Sequence, residues 1–209
     1  MNTAYKLPLE NETPSKTMET LSGNIIDFES LEHIVTPFDE IALVMSRLPV
    51  NNGHQLALNT YSLAHHSLWV MRYVLWITGS PKAALYALVY RAHEVYVGSL
   101  PPSLRALSYI KAPFDFLTRR IQDMVYLNIG LNMPSEELQD VISNASAIAH
   151  AVEAEKFFPS RNYQQYIEKI PEAAREIAWD HCDNSAIFQH MMEAYSVLMD
   201  ALKDQEETE

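Results

Sequence analysis

The chain is divided into long apolar segments by residues that start and stop helices. Thr36-Pro37 precedes one such segment, Gly79 follows another, and Ser80-Pro81 precedes a third. A hydroxyl side chain before proline is typical of a helix start, and glycine is typical of a helix end. These signals and the apolar spacing predict helices over about 37–48, 62–78, 80–97, 113–129, 135–157, 162–179 with a break at Pro171, and 185–203.

No segment shows the alternation of a β-strand, so the sequence predicts an all-α fold. The chain has 209 residues, of which 48% are hydrophobic, enough for one core of ordinary size. We therefore expect a single-domain helical bundle over residues 21–203. Residues 1–20 are predicted to be a polar N-terminal tail, and residues 204–209 an acidic tail.

Charge is distributed unevenly along the chain. The formal net charge is −12, yet residues 41–120 contain 8 basic and 2 acidic side chains (8 − 2 = +6). This basic segment is compatible with a small anionic ligand, whereas the overall acidity disfavours duplex nucleic acid. The basic side chains are equally compatible with a solvated surface. The longest apolar stretch, 63–79, contains His65, His66 and Arg72 and is too short for a membrane span, so no membrane partner is expected.

The single cysteine, Cys182, excludes an internal disulfide and a thiolate zinc cluster. The first 30 residues show no secretory leader pattern. Both observations favour a cytoplasmic location.

Four of the eight histidines lie in the basic segment: His54, His65, His66 and His93. Imidazole is a common ligand of divalent transition metals, so the cluster raises a metal hypothesis. His65 and His66 are adjacent, however, and only one of them can point to a given site on a helix. Buried, hydrogen-bonded structural histidines are the alternative.

Two strings, YSLAHHSL at residues 61–68 and AHEVYVGSLP at residues 92–101, together resemble the HD-domain phosphohydrolases, in particular the small 5'-deoxynucleotidase-like members of bacteria and phages. Residues 61–68 read YSLAHHSL, where that family typically reads YSVAEHS. Residues 92–101 read AHEVYVGSLP, which is similar to the family's HDAxEAYxGDIP. With weaker matches on either side, the resemblance covers about residues 18–158. It implies an HD-type helical bundle that hydrolyses nucleotide phosphates with a bound metal.

The resemblance also assigns positions to the family's site residues. His66 matches the first metal-binding histidine, and Glu94 matches the catalytic glutamate. The adjacent His-Asp pair falls on Tyr90 and Arg91, and the last Asp falls on Ser146. Arginine offers a metal no lone pair, so a normal metal centre is not expected. No cofactor is therefore expected, and the alternative is a divalent transition metal held by His66 with help from His65, His93 and His150.

Arg91 has two interpretations. Its cation could replace the metal and bind a phosphate, or it could pair with Glu94 three residues later on the same helix. His54 and Arg105 are further ligand-binding candidates, although both are compatible with simple turn and surface positions.

The sequence thus predicts a pseudoenzyme: a degenerate HD-domain protein, of phage or mobile-element type by resemblance, that acts by binding a nucleotide or a protein partner. A homo-oligomer is compatible with this prediction. The alternative is an active nucleotide phosphohydrolase with a rearranged His/Glu site.

Overall fold

Helix boundaries follow most of the predicted start and stop signals. The structure is a computed structural model that describes residues 16–31, 36–56, 60–157 and 168–206. Its helices are α1 (Phe38–Arg47), α2 (Leu63–Thr78), α3 (Pro81–Val89), α4 (Glu94–Val97), α5 (Pro102–Arg105), α6 (Ser108–Asn128), α7 (Glu136–Phe157), α8 (Glu172–Glu176) and α9 (Asn184–Glu206).

Helix α2 is central to the core, and local chemistry fixes both of its ends. Ser62 and His65 form a reciprocal capping box at its start. Gly79 ends it with a φ of 63°, a left-handed conformation that glycine adopts at little cost. The first two-thirds of α2 is almost entirely buried, whereas its last turn is exposed. This helix therefore carries its N-terminal side chains, among them His66, into the interior.

The other long helices surround α2. Helix α3 packs along it, α7 crosses it, and α1 and α9 pack against each other and against α2. Apolar side chains from all of these helices form one continuous core, including Ile41, Trp69, Leu85, Val152 and Met191. The described residues form an all-α, single-domain bundle, as the sequence predicts. No helix among them is both long enough and apolar enough to cross a membrane.

The predicted helix over 80–97 is wrong in one respect, because it is interrupted at residues 90–93. Gln122 on α6 supplies the reason. Its side-chain amide donates to Val89 O at 2.9 Å and its carbonyl accepts from His93 N at 3.1 Å. Gln122 thus supplies the acceptor for His93 N and a second donor for Val89 O, which also accepts from Ala92 N. The turn between α3 and α4 carries Tyr90 and Arg91.

The expectation of no strands, and of a polar tail as far as residue 20, is also corrected. Strand β1 (Thr17–Glu19) pairs antiparallel with β2 (Ile25–Asp27). The connecting turn is held by the Glu40 carboxylate at the start of α1, which accepts from Leu21 N at 2.7 Å and Ser22 N at 3.0 Å. Three-residue strands are too short to produce a recognisable alternation.

Smaller differences occur at other ends. Helix α1 begins one residue later than predicted, with Pro37 rather than Thr36 at the N-cap. Helix α6 begins at Ser108 and includes Pro113, and α9 extends to Glu206 into the predicted acidic tail. Residues 1–15, 158–167 and 207–209, which include parts of both predicted tails and of the predicted 162–179 helix, lie outside the described residues.

Candidate functional site

The positions assigned by the resemblance come from three separate parts of the chain and meet in the interior. His66 lies in the first turn of α2, Tyr90 and Arg91 lie in the turn after α3, and Ser146 lies on α7. His66 is fully buried, with 0% of its surface exposed. Its two ring nitrogens contact two different groups of residues.

On the Nε2 side, His66 contacts the hydroxyl of Tyr90 in a short hydrogen bond. The Tyr90 hydroxyl in turn donates to Ser146 Oγ at 2.7 Å. Burial raises the pKa of Tyr90 to about 12, so its hydroxyl keeps its proton at neutral pH. His66, Tyr90 and Ser146, which hold three of the four positions that correspond to metal ligands, are thus hydrogen-bonded to one another in a chain.

On the Nδ1 side, His66 makes a short contact with Glu153 Oε1 on α7. The Tyr61 hydroxyl also donates to Oε1, at 3.0 Å. His150, one turn before Glu153, places its Nδ1 3.1 Å from Oε2. The rings of His66 and His150 stack with centroids 4.6 Å apart. Glu153 is only 1% exposed and is surrounded by two imidazoles and a phenol.

We call this group the Glu153 cluster (Tyr61, His66, His150 and Glu153). Burial lowers the pKa of His66 to about 4, although the carboxylate of Glu153 opposes that shift. Burial would raise the pKa of Glu153, but His66 and His150 hold it below its usual value. At neutral pH the cluster therefore contains a neutral His66 and an ionised Glu153.

Arg91 forms the pair with Glu94 that the sequence predicts as one of its two interpretations. Arg91 Nε donates to Glu94 Oε1 at 2.7 Å, and the two side chains are 16% and 10% exposed. Burial opposes the charge of Arg91, but Glu94 raises the pKa of the guanidinium above its usual value. Arg91 Nη1 is buried and has no hydrogen-bond partner in the described part of the chain.

The family's metal does not fit the four positions that correspond to its ligands. His66 Nε2 is directed at a phenol, and Ser146 accepts a hydrogen bond from that same phenol. The remaining position holds the Arg91 cation, which repels a metal and has no lone pair to offer it.

The other predicted candidates lie in different surroundings. His65 Nδ1 accepts from Ser62 N at 3.1 Å, and its Nε2 contacts Cys182 O at 3.2 Å, so it serves the start of α2. His93 Nδ1 contacts Gln122 Oε1 at 3.0 Å. His54 is exposed at the end of a short 3-10 turn, Val50–Gly53. Arg105 pairs with Asp115 at 2.7 Å and its side chain is 47% exposed.

Of the predicted alternative metal ligands, only His150 joins His66. His65 and His93 are satisfied elsewhere by the contacts given above. Burial is the main cause that lowers the pKa of His93, and the charges of Arg91 and Arg105 add to that shift. Arg105 is therefore close enough to His93 to act on it electrostatically, although its direct partner is Asp115.

Glu153 and Tyr61 belong to the site, although sequence reasoning gave neither of them a role there. The signal for Glu153 was its position between two apolar residues, Val152 and Ala154, one turn after His150. A charged side chain inside an apolar helical face requires a partner. Nothing in the sequence shows that this partner is His66, 87 residues away.

Neither the protein-family models nor the curated proteins compared with this chain give a match.

Proposed function

We propose that this protein is a degenerate HD-domain protein that acts by binding, and that its ligand is a nucleotide whose phosphate is held by Arg91. One observation carries the proposal: the Arg91 side chain is only 16% exposed, is bonded to Glu94 through Nε, and has a buried Nη1 without a partner in the described residues. A buried donor without an acceptor is costly, and a phosphate oxygen is the acceptor that guanidinium binds best.

The surroundings of Arg91 support the proposal. Tyr90 contacts both His66 and Ser146, and Arg91 is the next residue. The HD resemblance requires these four positions to lie close together in the fold. Arg91 and Arg105 both belong to the basic segment 41–120. With Arg91 replacing an acidic ligand, phosphate binding no longer needs a bridging metal. A cytoplasmic setting, proposed from the single free Cys182, would supply nucleotides.

The test is a panel of nucleoside mono-, di- and triphosphates with inorganic phosphate, measured by calorimetry in the presence of a chelator. We expect at least one nucleotide to bind and its affinity to fall as salt increases. Arg91→Ala should weaken it about 10- to 100-fold, since a charge-assisted hydrogen bond contributes roughly 1.5–3 kcal/mol. Arg119→Ala, which removes an exposed cation of the same segment, is the matched control and should change affinity less than about 3-fold.

Glu94→Gln separates a binding role of Arg91 from a purely structural one. Both Arg91→Ala and Glu94→Gln break the ion pair, but only the first removes the cation. If Arg91 binds phosphate, Glu94→Gln retains or increases affinity, because it removes a competing anion. If no nucleotide in the panel binds the folded protein, the proposal is wrong, and Arg91 serves only to pair with Glu94.

A second candidate is an active nucleotide phosphohydrolase that uses a rearranged His/Glu site. The approach of His150 and Glu153 to His66 favours it. The same nucleotide panel, repeated without chelator and with added divalent cations, is scored for release of inorganic phosphate. Release that is lost in His66→Ala would select this candidate.

A further inference from the structure

We propose that His66, His150 and Glu153 form a binding site for a divalent transition-metal ion on the Nδ1 side of His66, with Zn²⁺ as the best fit. One possible ligand atom from each of the three residues lies within 4.8 Å of the others. This site does not use Tyr90, Arg91 or Ser146, and it does not depend on nucleotide binding.

The arrangement of the two ring nitrogens of His66 is the first argument. Nε2 is bonded to the Tyr90 hydroxyl, so Nδ1 is the nitrogen that faces Glu153. His150 places its own Nδ1 3.1 Å from the second oxygen of the same carboxylate. Two imidazole nitrogens thus converge on one buried carboxylate. In the tautomer that carries its proton on Nε2, His66 keeps its bond to Tyr90 and offers Nδ1 as a metal ligand.

The ligand chemistry is the second argument. Two imidazoles and one carboxylate are a common protein ligand set for zinc, with a fourth position left for water or substrate. Two metal–ligand bonds of about 2.1 Å at the tetrahedral angle join atoms about 3.4 Å apart, so a side-chain shift on the order of 1 Å closes the set. His150 can make that shift, because its side chain is 41% exposed. The same exposure gives an ion a path from solvent to Glu153.

Charge is the third argument. Glu153 is buried, and none of its described hydrogen-bond partners carries a permanent positive charge. The cation of Arg91 is bonded to Glu94 instead. A divalent ion would supply the missing charge. It would also leave Nε2 of His66 bonded to Tyr90, which is the kind of contact that orients a metal-binding histidine.

The experiment uses the full chain, stripped of metal by chelator and titrated with Zn²⁺ by calorimetry without nucleotide. Co²⁺ absorption then reports the coordination, and Mg²⁺, which prefers oxygen ligands, serves as a negative control. We expect one Zn²⁺ per chain. His150→Ala should weaken binding by more than about 100-fold, because loss of a ligand exceeds the roughly 10- to 100-fold cost of losing an orienting partner.

His190→Ala is the matched control. His190 is as exposed as His150 (40% against 41%) and also contacts a carboxylate through Nδ1, that of Asp180 at 2.8 Å. Its carboxylate already has a cation, Arg72. We expect Zn²⁺ affinity to change less than about 3-fold in this variant. Glu153→Gln should abolish binding while Asp180→Asn retains it, with circular dichroism used to confirm that each variant is folded.

Tyr90→Phe tests the positioning role of the phenol. It removes the hydroxyl that is bonded to Nε2 of His66, so Zn²⁺ affinity should fall about 10-fold while one ion per chain still binds. A folded protein that binds no Zn²⁺ more tightly than about 0.1 mM would overturn the proposal. The contact between His66 and Glu153 would then be an ordinary hydrogen bond through a proton on Nδ1 of His66. Equal Zn²⁺ affinity in His150→Ala and the unchanged protein would overturn it as well. Neither result bears on nucleotide binding, which is measured with chelator present.

Discussion

Among the described residues, two carboxylates contact histidine through Nδ1, and they differ in what else surrounds them. Asp180 accepts from both terminal nitrogens of Arg72, at 2.5 and 3.1 Å, and contacts His190 at 2.8 Å. Glu153 contacts His66, His150 and Tyr61. We call the first group the Asp180 cluster (Arg72, Asp180 and His190), and it lies nearer the surface.

The difference concerns charge compensation. Arg72 is a permanent cation in bidentate contact with Asp180. Its charge balances that of the Asp180 carboxylate, so the contact with His190 is not needed for charge compensation. The Glu153 cluster has only neutral or titratable partners in a more deeply buried place. A carboxylate without a fixed cation is suited to an exchangeable one, such as a proton or a metal ion. The Asp180 cluster is therefore structural, and the Glu153 cluster is the candidate for function.

The largest expected effect on stability is that of Glu153→Ala. It leaves Tyr61, His66 and His150 without their common acceptor inside the core, and we expect a loss of roughly 3–5 kcal/mol in the free energy of unfolding. Urea unfolding at pH 7 with chelator measures it. Glu155→Ala, on the exposed side of the same helix, is the control and should cost less than about 1 kcal/mol. A loss as small as the control's would mean that Glu153 does not organise the cluster.

Acid should weaken the two clusters in different pH ranges. The pKa of His66 is about 4 in the folded protein and about 6.5 when unfolded. The unfolded chain thus binds a proton more readily, and stability falls as pH decreases from 6.5 to 4, by about 3 kcal/mol in total. Arg72 and His190 outweigh burial and hold the pKa of Asp180 below its usual 3.8, so its contribution is complete above that pH and falls only below it.

Urea unfolding of metal-free protein at several pH values tests this separation. His66→Gln should reduce the slope of stability against pH between 6.5 and 4.5 by up to about 1.4 kcal/mol per pH unit. The pKa values of His65 and His93 are also lowered by burial, so some slope of the same sign should persist. A stability that is constant over this range would contradict a neutral, buried His66.

Much of the fold was readable from local signals. The Ser62 cap and Gly79 define α2, and Ser80-Pro81 starts α3, because these residues satisfy helix ends with their own side chains or backbone. The i,i+3 spacing of Arg91 and Glu94 likewise predicted their ion pair. Local spacing is sufficient where both partners lie within one or two turns of the chain.

The features that the sequence did not reveal depend on distant partners. The break after α3 depends on Gln122, about 30 residues further along the chain. The two sides of His66 were equally hidden, because Glu153 and Tyr90 reach it from α7 and from the turn after α3. Periodicity identifies which residues are buried, but it does not pair a buried acid with a particular histidine.

Asp180→Ala should have an intermediate effect. It removes a bidentate partner from Arg72, but the Arg72 side chain is 30% exposed and regains contact with water. We expect a loss of about 1–2 kcal/mol, less than for Glu153→Ala. Urea unfolding in the same buffer gives the comparison directly. A larger loss for Asp180→Ala than for Glu153→Ala would reverse the assignment of structural and functional clusters.

The smallest effects are expected for His150 and His190, the partly exposed histidines of the two clusters. In metal-free protein, His150→Ala and His190→Ala each remove one hydrogen bond from a side chain that is about 40% exposed. Both should therefore cost only about 0.5–1 kcal/mol, with the melting temperatures of the two variants close together. Added Zn²⁺ should raise the melting temperature of His190→Ala as it does that of the unchanged protein, through binding to the folded state, and leave that of His150→Ala unmoved. Equal responses of the two variants would show that the charge of Arg72 is not what distinguishes the Asp180 cluster from the Glu153 cluster.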